Sequence, residues 1–167
     1  MVELVKQNYE ENKKLYINTL EKLRQKLDNN IPIEQVGSTA IPNMHGKNII
    51  DILIGAKDDL EFQLIKNTLE KMGFISSQKS RDNIYQFFSS KKEETGAGDI
   101  HIHLVIKDTL RYSEFIILKN YLLNNPEEAK KYSDFKKEII KMGNTDRKEY
   151  KKIKSEYVTQ LLERAKK

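Results

Sequence analysis

Apolar residues at Leu15, Ile17, Leu20, Leu23 and Leu27 recur mostly three or four apart, the step of an amphipathic helix over residues 9–27 that stops at Asp28-Asn29-Asn30. Residues 33–36 alternate briefly, as a half-buried strand does, and break at Gly37-Ser38-Thr39. The apolar run 49–54 reads as a buried strand, interrupted by Asp51. Asp58 or Asp59 then caps a helix whose apolar positions are Leu60, Phe62, Leu64, Ile65, Leu69 and Met72, with Gly73 as its stop. Strands follow at 74–76, 84–89 and 101–106, and the polar, glycine-bearing residues 91–98 read as a loop. From Ser113 onward the period turns helical, with breaks at Asn124-Asn125-Pro126 and Gly143-Asn144 that divide the remainder into three helices. The expected architecture is α/β (α+β), a mixed sheet flanked by helices with a helical C-terminal region, in one domain spanning 1–167.

Composition narrows the class. With 38% hydrophobic and 33% charged residues, the chain is too apolar for disorder and too charged for a membrane protein. No apolar run reaches the ~20 residues of a membrane span, and the first residues lack a signal peptide's basic-then-apolar layout, so the expected compartment is the cytoplasm. Without cysteine there is neither a disulfide framework nor a Cys-ligated zinc site. The net charge of +5 owes much to the lysines after Glu127, which alternate with glutamates and read as a solvated face.

The chemistry gathers in the strands. A carboxylate inside an apolar strand needs a partner, so Asp51 either turns to solvent at a sheet edge, pairs with a lysine or arginine, or serves a site. The strand-Gly37-Ser38-Thr39 turn has the composition of a phosphate cradle, and Lys47 is a further phosphate-binding candidate. Strand periodicity puts His101 and His103 on one face, where they either ligate a metal together with Asp51 or Glu34, or hydrogen-bond the aspartate. His45 falls in a loop. Tyr112, Tyr121, Tyr132, Tyr150 and Tyr157 stand among leucines at helical spacings and read as packing residues rather than base-stacking platforms.

The string GSTAIPNMHGKNIIDILI resembles the signature of the GrpB-like family, a branch of the nucleotidyltransferase fold superfamily. HIHLVI resembles that family's later His-x-His strand, and YKKIKSEYV is similar to its closing helix. The resemblance implies a mixed sheet with helices on it, Ser38 near a phosphate, Asp51 near a divalent metal (Mg or Mn), and the two histidines across the same cleft. It names Asp51, His101 and His103 as the catalytic and metal-binding candidates. Active members of the wider superfamily carry a second carboxylate two residues after the first, and here that position is Leu53. Gln35 and Asn43 likewise stand where histidine and glycine are frequent in the family. The expected function is binding of a nucleotide or other phosphorylated small molecule, with nucleotidyl transfer left open by the missing second carboxylate. The alternative is a catalytically degenerate interaction or RNA-binding module, with nucleic acid the less favoured partner and no membrane partner.

Overall fold

The computed structural model describes residues 2–77, 83–90, 99–143 and 146–167. The loop expected over 91–98 and Asn144 lie outside them. The elements run β1 (Val5–Lys6), α1 (Tyr9–Arg24), β2 (Ile33–Val36), a 3-10 turn (Ser38–Ala40), β3 (His45–Gly46), β4 (Ile50–Ala56), α2 (Asp59–Lys71), β5 (Ile75–Ser76), β6 (Tyr85–Ser89), β7 (Ile100–Ile106), α3 (Leu110–Asn124), α4 (Pro126–Lys141) and α5 (Arg147–Ala165). Five strands form a mixed sheet in the order β2-β4-β7-β6-β5, in which only β4 and β7 pair in parallel. The mixed α/β architecture with a helical C-terminal region is the one expected from the sequence.

The pleat gives the sheet two unlike faces. On one, Ile33, Ile50, Ile52, Ile54, Phe88, Ile102 and Leu104 form the main core with Leu23 and Leu27 around the end of α1 and Phe62, Ile65 and Leu69 of α2. On the other, the alternate residues Val36, Leu53 and Val105 are roofed by Tyr112, Phe115 and Ile116 of α3. Beyond that roof the face carries Asp51, His101 and His103 with the rings of Tyr85 and Phe87. The register sets Val36 opposite Asp51, Asp51 beside His101, and His103 opposite Phe87.

Local chemistry sets the helix ends. Asn8, Asp58, Thr109 and Asp146 each cap a helix by accepting a backbone N–H from its first turn, and Pro126 starts α4 where a missing N–H costs nothing. Thr109 is why α3 begins at Leu110 and not at Ser113 as the apolar spacing implied. In α2, Leu60 and Leu64 point to solvent, whereas Phe62, Ile65 and Leu69 are buried. The expected stripe was therefore too wide: at 100° per residue Leu60 and Leu64 fall on the side of the helix opposite Phe62, Ile65 and Leu69.

Two further corrections concern residues read as irregular or solvated. His45 lies in β3, which pairs antiparallel with β1, and its backbone N–H donates to Ser133 Oγ at 2.8 Å. Two-residue strands leave no periodic signal. Lys136, from the lysine-rich region, is only 3% exposed, donates from Nζ to the carbonyl of His45, and stands over the ring of Tyr132 at 4.8 Å. Burial, aided by the charge of Lys154, brings its ammonium down to about 7.

Candidate functional site

Asp51 is the centre of the polar patch. Its side chain is 26% exposed, so it is neither at a sheet edge nor sealed in the core. His103 Nε2 lies 3.0 Å from Asp51 Oδ1, and His101 Nδ1 lies 3.5 Å from the same oxygen. Burial alone pushes the carboxyl upward, but the imidazole hydrogen bonds outweigh it and hold Asp51 well below the usual carboxylate range. The two histidines thus provide the partner that the buried aspartate required.

The histidines differ in how tightly they are held. His103 Nδ1 lies 3.0 Å from the Tyr85 hydroxyl, and its ring packs on Phe115 at 4.8 Å and Phe87 at 5.6 Å. When neutral His103 donates Nε2–H to Asp51, its Nδ1 accepts from Tyr85, a tautomer assigned from the hydrogen-bond network. Arg111 stands over the Tyr85 ring at 4.3 Å. His101 has Phe87 edge-on at 4.8 Å.

The glycine-serine turn is built against this carboxylate. Gly37 has φ +72°, and a Cβ there would sit 2.6 Å from Asp51 Oδ2, so both backbone conformation and space require glycine. Ser38 Oγ accepts from Gln7 Nε2 at 3.2 Å, and the same nitrogen donates to the carbonyl of Lys47 at 2.7 Å. Gln7 therefore ties together the two segments from which Ser38 and Lys47 arise. Gly46 lets it approach, since a Cβ there would meet Gln7 Nε2 at 2.6 Å and Ser38 Oγ at 2.7 Å. Thr39 does not join them: it is buried, and its carbonyl and hydroxyl oxygens accept from Gln35. Asn43 adopts φ +60°, the left-handed conformation for which glycine and asparagine are suited.

A group of cations closes the patch from α5. Lys47 Nζ stands 5.9 Å from the centre of the Tyr150 ring, and helix spacing places Arg147 and Lys154 on the same side as Tyr150, with Lys151 one turn from each of them. Burial lowers the Lys47 ammonium, and the charges of Arg147 and Lys154 lower it further, against the pull of Asp51. Lys154 is lowered by burial and Lys151, again opposed by Asp51. Both lysines are half-buried, and neither forms an ion pair among the described residues. Glu34, proposed as an oxygen ligand, is instead paired with Lys119 at 3.1 Å.

Sequence reasoning missed Gln7, Tyr85, Arg147, Lys151 and Lys154. Tyr85 was accessible to it, since the two-residue period of β6 places Tyr85 on the face of Phe87. The cations were hidden by resembling any solvated lysine stretch, and Gln7 follows a two-residue strand too short to read. Tyr112, Tyr132 and Tyr150 are buried, and Tyr157 stacks on Tyr132 at 5.5 Å, as packing residues do.

The donor set does not suit a divalent metal. Both imidazoles are directed at one carboxylate oxygen, and among the described residues no three His, Asp or Glu side chains are placed to hold an ion. Leu53, at the position of the second carboxylate, is 1% exposed beneath α3. Two hollows lie beside the patch and share only Lys151 with it. One of about 440 Å³ follows Lys148, Lys151, Lys152 and Thr159 along α5, and another of about 240 Å³ lies between α1 and α3. Asp51 itself is 26% exposed and lines neither hollow.

Fold and patch together define a mixed-sheet α/β protein with an aspartate-imidazole cluster facing a cationic helix. A family model described as GrpB protein matches residues 2–164, and the chain belongs to the GrpB family. A UPF0157 protein of Pseudomonas aeruginosa is 30% identical over 133 residues, and the match covers 80% of this chain but 54% of that relative, about half its length. The crystal structure of conserved protein GrpB from Enterococcus faecalis shares the fold at a TM-score of 0.82 and 20% identity, covering 98% of this chain and 96% of its own. The poly(U) polymerase Cid1 overlays at a TM-score of 0.42 and 13% identity over 69% of this chain and 40% of its own, a likeness too slight to carry chemistry across. Among the described residues no helix is long and apolar enough to cross a membrane.

Proposed function

We propose that the chain binds a nucleotide or another phosphorylated small molecule on the open face of the sheet, between the Gly37-Ser38 turn and α5. One observation carries the reading: Lys47 and Lys154 are half-buried and feel the charge of Asp51, yet neither forms an ion pair among the described residues. Partly desolvated ammoniums are costly unless an anion meets them, and Asp51 is already engaged by two imidazoles. A phosphoryl group supplies that anion and accepts charge-assisted hydrogen bonds from both lysines.

Titration calorimetry with ADP, ATP and pyrophosphate tests the reading, with adenosine as the uncharged control. The phosphorylated ligands bind and adenosine does not. Lys154→Met weakens them by about tenfold, the loss expected for one charge-assisted contact. Equal affinity for adenosine and ADP would remove the phosphate from the site. Pyrophosphate release from a nucleoside triphosphate separates nucleotidyl transfer from binding alone.

A further inference from the structure

Nucleotide-binding sites commonly offset phosphate charge with a divalent ion held by paired carboxylates. In this chain the second carboxylate position is a buried leucine, and the remaining aspartate faces two histidines and a ring of cations. We infer that the ammoniums of Lys47 and Lys154 take the place of the divalent cation, so that the site binds a di- or triphosphate group without metal. The inference rests on the phosphate-binding reading above and gives it a specific chemistry.

The arrangement supports it from three sides. Lys47 leaves a segment whose carbonyl is held by Gln7, so its backbone is fixed to the same anchor as Ser38. Lys154 projects from α5 one turn beyond Tyr150, the ring over which Lys47 stands, and its charge acts on the Lys47 ammonium. Arg147 and Lys151 add positive charge at the rim, where cations outnumber the single nearby carboxylate, whose Oδ1 is already taken up by its imidazole partners. A divalent ion entering this spot meets ammonium charge and one aspartate already engaged. A polyphosphate meets two ammoniums, which offset the charge that its metal otherwise screens.

The experiment is calorimetric titration of pyrophosphate into the full chain, once in EDTA and once in excess Mg²⁺. The expected result is binding in EDTA, weakened several-fold by Mg²⁺ because free pyrophosphate is sequestered, and reduced about tenfold in Lys47→Met and again in Lys154→Met. Circular dichroism shows whether each variant folds, and Lys47→Arg and Lys154→Arg, which retain the charge, should keep most of the affinity. Binding that appears only with Mg²⁺ overturns the inference and leaves the phosphate reading standing. Absence of binding in both conditions overturns both. Binding in EDTA that is unchanged in both methionine variants places the phosphate elsewhere and also overturns the inference.

Discussion

The two faces of the sheet come from the same strands, residue by residue in alternation, yet they do opposite things. On the covered face Ile50, Ile52, Ile54, Phe88, Ile102 and Leu104 are sealed beneath α1 and α2. On the other, Asp51, His101 and His103 take the intervening positions, α3 roofs Val36, Leu53 and Val105 and reaches His103 through Phe115, and α5 brings cations towards Asp51. The covered face supplies the burial that makes the fold stable. The open face can then hold polar groups whose arrangement serves no packing purpose.

The sharpest break in that comparison is a pair of truncations on one strand. Ile102→Ala should cost about 2–5 kcal/mol in urea unfolding, because its surroundings on the covered face collapse only partly around the cavity. His101→Ala, one residue away on the open face, should cost about 1 kcal/mol or less. Equal losses would show that the open face is a second core.

Gly37→Ala tests the seam where the turn meets the aspartate. Its positive φ and the 2.6 Å approach of the new Cβ to Asp51 Oδ2 predict a loss of about 2 kcal/mol in stability. Pyrophosphate affinity should fall with it, since the turn and Asp51 can no longer keep their present separation. A variant of unchanged stability and affinity would detach the turn from the site.

Lys136 sharpens the comparison through pH. Its ammonium sits at about 7 in the fold, against an ordinary value of 10.5, so between those limits the unfolded chain holds more protons than the folded one. This group's contribution to stability therefore rises as pH climbs from about 7 towards 10.5, and its full penalty applies below 7. Lys136→Met should flatten the rise between pH 7 and 9 by about 1–2 kcal/mol. The slope does not vanish, because Lys47 and Lys154 are lowered in the same direction. A variant with the full wild-type slope would mean that Lys136 reaches water.

Leu60→Ser should have the smallest effect. The leucine is 73% exposed on α2, so the change should stay within about 0.5 kcal/mol by urea unfolding. A larger loss would mean that α2 covers more than the helix face built on Phe62, Ile65 and Leu69.

By itself the sequence determined the elements whose signal is periodic and local: α1, α2, β2, β4, β6, β7 and the helical C-terminal region. It also marked Asp51, and placed His101 and His103 on one face, because two-residue strand geometry permits no other arrangement. Only the tertiary structure decided that both imidazoles meet the same carboxylate, since that depends on β4 and β7 lying side by side in register. It alone turned Thr39 inward, set Leu53 beneath α3, and drew Gln7 onto Ser38. The lysines show the division most clearly. Nothing local distinguishes Lys136 or Lys154 from the exposed Lys130 or Lys152, because burial is fixed by what packs against a side chain from distant parts of the chain.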